Sequence, residues 1–232
     1  MNIKFKNILL FICFSNLIWT QNWELVWHDE FEGNGEINSE NWFHQTQLPL
    51  GGSWYNGEIQ HYTNRTENSY VSNGTLKIVA KKETFTDQEY TKEYTSARLN
   101  SKYAFTYGKV EIRAKLPEGI GTWPALWMLG KNIDEPGAYW QTEGYGTTPW
   151  PACGEVDIME HWGSNQNYIQ SAIHTPSSYG GTINHGGQYI STASSDFHVY
   201  IIEWSEEEMH FSVDGNIPVS YTHLTLPTNR EV

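Results

Sequence analysis

A chain of 232 residues is long enough for one sizeable β domain, and 15% of its residues are aromatic, with 11 Trp and 14 Tyr, more than a core of that size needs. The formal net charge of −13, with no basic patch in view, argues against nucleic acid as a partner and weakly against strongly sulfated polysaccharides. Neutral glycans remain open, because indole and phenol rings stack on the C–H face of a sugar.

In chain order, residues 1–21 come first and read as a secretory leader. Lys4 and Lys6 precede an apolar run from Ile8 to Ile18 that is too short for a membrane span. The mature chain is therefore expected to be secreted or periplasmic, and free of the membrane once the leader is removed. Ile12 is a poor fit for the small residue that would precede a lipidated Cys13. Cys153 then remains as the only cysteine, so no intramolecular disulfide can form.

No helical period is sustained beyond the leader. Tyr70 and Val71, the turn pair Asn73-Gly74, and residues 76–80 read as a hairpin with a two-residue turn. Residues 109–116, 155–160, 168–174, 198–204 and 209–213 read as strands, with Asp214-Gly215 as a further turn. Many short strands with such turns imply a sandwich or jelly roll. Residues 131–151, rich in Gly, Pro, Tyr and Thr, show little pattern and read as a loop at the rim of a cleft or as a plain surface insertion.

The chemistry concentrates in residues 154–161 (GEVDIMEH). On a strand, Glu155 and Asp157 share one face while Val156 and Ile158 point to the other. Glu160 has the wrong parity, and one extra residue at Ile158 or Met159, a β-bulge, returns it to the face of the other two. Three like charges so close raise at least one pKa. A neutral carboxyl beside an ionised one is what cleavage of a glycosidic bond requires. With the bulge absorbing one position, the Cα atoms of Glu155 and Glu160 lie roughly 13 Å apart. That leaves open both a retaining separation of about 5–5.5 Å and an inverting one of about 6.5–9.5 Å between carboxyls. The bland alternative is a strand edge with solvated acids.

Glu155-Val156-Asp157-Ile158-Met159-Glu160 resembles the signature of glycoside hydrolase family 16 in its longer, bulged form. Residues 23–31 (WELVWHDEF), 54–62 (WYNGEIQHY), 94–99 (YTSARL), 105–115 (FTYGKVEIRAK) and 121–130 (GTWPALWMLG) resemble the laminarinase branch of that family, in the same order. The resemblance implies an all-β fold, a curved antiparallel β-jelly-roll sandwich of concanavalin-like type with a concave substrate cleft. It places the catalytic domain at 22–219, C-terminally incomplete, with 220–232 as an atypical tail that resembles none of the strands expected there. It implies a monomer acting on β-1,3-glucan as a retaining endo-glycosidase. A hydrolase of mixed-linkage glucan or agar-type galactan, and a non-catalytic carbohydrate-binding sandwich, are the alternatives.

Residue by residue, the resemblance makes Glu155 the nucleophile, Glu160 the general acid/base, and Asp157 the group between them that tunes the proton balance. Trp123 becomes a sugar platform. Trp127 has the parity of Trp123 but is equally suited to core packing, and Trp162 is a second candidate platform. Asn56 and Glu58 reach the donor side of the cleft. Arg98 becomes a cation near Glu155, its bland reading being a surface ion pair. His174 contacts sugar or the acid/base, or is structural. No histidine spacing matches a metal motif, so no cofactor is required. A structural calcium near Glu32 and the Gly74 carbonyl is the one ion the resemblance suggests.

Overall fold

The computed structural model describes residues 23–222. The expected leader, and residues 223–232 of the expected tail, lie outside them. The described strands are β1 (Trp42–His44), β2 (His61–Tyr62), β3 (Ser69–Ser72), β4 (Thr75–Ile78), β5 (Lys81–Asp87), β6 (Tyr90–Ser96), β7 (Leu99–Ser101), β8 (Gly108–Ala114), β9 (Ala125–Leu129), β10 (Glu155–His161), β11 (Tyr168–His174), β12 (His185–Tyr189), β13 (His198–Trp204), β14 (Glu208–Val213) and β15 (Asn216–Thr222). One short helix, α1 (Tyr139–Thr142), lies in the long segment before β10.

Two four-stranded antiparallel sheets form the body. Their strand orders are β12-β11-β10-β9 and β15-β14-β13-β8. Alternation decides which faces meet. Tyr200, Ile202 and Trp204 of β13 and Met209, Phe211 and Val213 of β14 point inward against Val156, Ile158, Met159, Ile169 and Ile173 from the opposite sheet. The chain is the β-jelly-roll sandwich expected from its sequence. Burying a side chain such as Phe211 or Ile202, 1% and 0% exposed, contributes about 1.5–3 kcal/mol.

The outer face of β12-β11-β10-β9 is the one that matters for function. Strand register brings Tyr168, Gln170 and Ala172 of β11 opposite Tyr189, Gly187 and His185 of β12 on one side. On the other side Gln170, Ala172 and His174 face Glu160, Asp157 and Glu155 of β10. Trp127 of β9 stands opposite Asp157. This grid of carboxyls, aromatics and histidines faces away from the apolar interior.

At the C-terminal end, β15 runs antiparallel to β14, with Ser220 opposite His210. The strand therefore continues past the point where the sequence reading ends the domain. It sits at the sheet edge, where Pro218 is tolerated because no ladder bond is needed from it.

Candidate active site

The kink expected in β10 is present. Asp157 pairs with Ala172 and Glu160 with Gln170, one residue more on β10 than on β11. Against β9 the extra residue falls between Asp157, opposite Trp127, and Met159, opposite Leu126. Ile158 is thus the inserted residue, and Ile158 and Met159 both point into the core. A bulge leaves a ladder carbonyl unpaired. Here Ser171 Oγ donates to the Ile158 oxygen at 2.9 Å. Gly154, at φ +80, turns the chain into the strand at a backbone conformation that side chains disfavour.

Glu155, Asp157 and Glu160 therefore share the cleft face. Burial is the first cause of a raised pKa at each, because it penalises the charged form. Glu155 is pushed up to about 8, with the neighbouring Asp157 charge as the second cause and His174 pulling the other way. Asp157 is raised well above its usual range by its burial and by Glu160. The three cannot all be ionised at neutral pH. Asp157, the most deeply buried, keeps a proton, and neutralising it removes the largest Coulombic obstacle to a charge on Glu155.

A carboxyl whose pKa is higher folded than unfolded binds more protons in the native state, so stability falls as pH rises through that interval. For Glu155 the interval runs from 4.5 to about 8. Replacing Asp157 by Asn removes a carboxyl that is ionised in the unfolded chain and must take up a proton on folding, a cost that rises with pH. Its melting temperature should exceed that of the parent by a margin that grows from pH 5 to pH 8, at about 2–4 °C per kcal/mol for a domain of this size. Thermal scans at three pH values check the sign, and a margin that shrinks on raising the pH contradicts it.

Each terminal glutamate is held by an indole. Trp123 Nε1 donates to Glu160 Oε1 at 3.1 Å, and the Gln170 side chain bonds the same carboxylate. Trp150, from the long segment before β10, donates to Glu155. Its ring lies 5.9 Å from that of His174 and packs edge-on against Tyr179 at 5.3 Å. His174 Nε2 is 3.2 Å from Asp157 Oδ2 and 3.6 Å from Glu155 Oε1, so its carboxylate contacts are at the nucleophile end of the triad, where the sequence reading expects sugar or the acid/base. Trp162 stacks on Trp123 with ring centres 5.9 Å apart and planes 24° from parallel. Next to Trp162, Gly163 runs so close to the Gly119 backbone that a Cβ there would lie 1.7 Å from the Gly119 oxygen. Trp123 is 40% exposed, leaving a free face for a sugar ring.

Trp127 is a cleft residue and not a core one, since it stands opposite Asp157 with the Arg98 guanidinium 4.7 Å from its ring centre. Arg98 needs a correction. Its partner is Glu135 at 2.8 Å, both side chains 9% exposed, so it is a buried pair and not a surface one. The neighbour that favours the charged form of Glu155 is His174 and not Arg98. Glu58 accepts from Tyr62 Oη at 2.6 Å and Gln60 Nε2 at 2.8 Å. Asn56 is exposed, in a tight turn at φ 56. Trp54 ties this segment to the site, its ring 5.5 Å from the Arg98 guanidinium and 4.8 Å from the Tyr62 ring.

Sequence reasoning missed Trp150, Gln170, His185 and Ser171. Gln170 sits at a cleft-face position whose parity follows from that of His174 on the same strand, so it was findable; His185 lies on β12, which the sequence did not reveal. Trp150 lies in a patternless segment and was not findable. Glu32 is exposed and stands outside the one group of three His, Cys, Asp or Glu ligands among the described residues, which is Glu155, Asp157 and His174.

Residues 56–226 match the family model described as Glycosyl hydrolases family 16. The chain is 43% identical over 203 residues to a Beta-glucanase of Rhodothermus marinus, covering 84% of this chain and 64% of that protein. It is 36% identical over 205 residues to Glucan endo-1,3-beta-glucosidase A1 of Niallia circulans, covering 82% of this chain and 28% of that one. It thus spans less than two thirds of either relative. Among solved structures, LamA from Z. galactanivorans in complex with laminaritriose and laminaritetraose superposes with a TM-score of 0.82 at 47% identity, covering 89% of this chain and 84% of that one.

Proposed function

The chain belongs to glycosyl hydrolases family 16, and from that premise we propose that it is an endo-acting β-1,3-glucanase working with retention of anomeric configuration. The observation that carries the reading is the bulged β10, which turns three buried carboxyls to one face and gives each terminal one an indole N–H partner. In the first step a Glu155 oxygen attacks the anomeric carbon, the glycosidic C–O bond breaks, and the Glu160 proton passes to the departing oxygen. In the second, water attacks the same carbon, its proton returns to Glu160, and the bond to Glu155 is released. Asp157, neutral, lets Glu155 hold the charge. Burial at Glu160 favours the protonated form that the first step needs.

The sugar-binding part of the proposal places one platform at Trp123 and Trp162 and another near Trp54, Trp127 and Glu58. The choice of β-1,3-glucan is supported by the laminari-oligosaccharides bound to the LamA relative and by the names of the two sequence relatives. The leader pattern at 1–21 supports a secreted or periplasmic location.

Product sizing on laminarin, lichenan and agarose tests the substrate. Internal cuts in laminarin, released first as the β-anomer by proton NMR, are expected. Faster release from lichenan would move the reading to mixed-linkage glucan, and no reducing ends from any of the three would remove it.

A further inference from the structure

We propose that the nucleophile end of the cleft is also a binding site for a divalent transition cation of the Zn2+ class, with Glu155, Asp157 and His174 as its three protein ligands. One ligand atom from each lies within 4.8 Å of the others. The 3.2 Å and 3.6 Å separations of His174 Nε2 from the two carboxylates suit a tetrahedral ion, whose bonds of about 2.0–2.2 Å put neighbouring ligand atoms about 3.3–3.6 Å apart.

The second observation is independent of the clustering. Asp157 Oδ2 is buried and has no hydrogen-bond partner, and its side chain is only 6% exposed. It is aimed at His174 Nε2 but out of line for a hydrogen bond. A buried carboxylate oxygen left in that state calls for a cation or a proton.

The scaffold is rigid where it matters. Glu155 and His174 are direct cross-strand partners, as are Asp157 and Ala172, so the sheet ladder fixes the three ligand positions. One imidazole and two carboxylates give a donor set that favours Zn2+ or Cu2+ over Mg2+ or Ca2+, which take six or more oxygens. The two carboxylate charges balance the ion's charge, relieving the repulsion between them. Glu155, 17% exposed, leaves the fourth position facing the cleft for water.

The functional consequence rests on the reading given under Proposed function. The ion would hold the Glu155 oxygen that attacks the sugar, so it acts as an inhibitor that competes with glucan.

Calorimetric titration of ZnCl2 into the folded chain at pH 7.5, in two buffers of different ionisation heat, tests the site without relying on activity. One site is expected, with proton release as the ligands deprotonate. Binding should weaken at least tenfold in both Asp157→Asn and His174→Gln, each checked for folding by circular dichroism, and MgCl2 should give no comparable heat. Should a variant not fold, Co2+ in the parent chain replaces it as the probe: visible bands of four-coordinate cobalt, abolished by stoichiometric Zn2+, are expected, and six-coordinate bands alone overturn the site. Undiminished Zn2+ binding in the folded variants would put the ion on a surface pair such as His198–Asp214 or His210–Glu208 and end the proposal. A chain that binds Zn2+ through these residues yet leaves laminarin intact keeps the metal site and loses the glucanase reading, so the two fail separately.

Discussion

Glu155→Gln is expected to lose laminarin hydrolysis by on the order of 10⁴-fold or more in kcat while keeping its affinity for laminari-oligosaccharides. Glutamine fills the same volume and can still meet the Trp150 indole, but an amide oxygen does not form the bond to the anomeric carbon. Glu160→Gln should differ in kind. Its loss depends on the leaving group, because Glu160 supplies a proton that an acidic phenol does not need. On an aryl β-glucan oligosaccharide the Glu160 variant should release a burst of phenol and then stall, lacking the base for water. The Glu155 variant should release none. Stopped-flow phenol release on both variants, beside calorimetric binding, measures this. A burst from the Glu155 variant and none from the Glu160 variant would exchange the two roles.

The parts of this site that were legible in the sequence are those that follow from parity. Glu155 and Asp157 share a face by alternation, and the misplaced Glu160 forces a bulge, which Ile158 provides. What parity does not reach was not legible. The hairpin of β5 and β6 was missed because its strands are polar on both faces. Its turn uses Gln88 and Glu89 at φ 49 and 68, where Gly or Asn would have signalled it. β12, with Gly186 and Gly187 at its centre, carries little strand propensity of its own and depends on its neighbours β11 and β15. The grouping of His174 with Glu155 and Asp157 depends on which strand lies beside β10, a fact of topology that no spacing motif encodes. Trp150 reaches Glu155 from a segment without periodicity, so its place depends on what anchors that segment.

That anchor is the Arg98–Glu135 pair, and breaking it gives the second large effect. Glu135 belongs to the same segment as Trp150. Its carboxylate accepts from Arg98 at 2.8 Å and from Gln45 Nε2 at 2.8 Å, in a setting where both members of the ion pair are 9% exposed. Arg98→Met leaves the carboxylate buried with the Gln45 amide alone and should destabilise the fold by about 3–5 kcal/mol. Methionine keeps apolar contact with Trp54 and Trp127, so the loss reports the stranded charge more than lost packing. Arg98→Met combined with Glu135→Leu removes both charges and should recover most of that stability, since a buried pair is often no better than a well-packed apolar one. Activity separates structure from function in this cycle. If the pair only stabilises, the double variant regains parent kcat and KM together with its melting temperature. If it also positions the segment, the double variant melts like the parent but has a raised KM, because Trp150 and the rim of the cleft are no longer pinned to the β6–β7 connection that carries Arg98. A single variant Arg98→Met that loses less than about 1 kcal/mol would mean that water reaches Glu135, as at an exposed pair, and the anchoring argument would then fail.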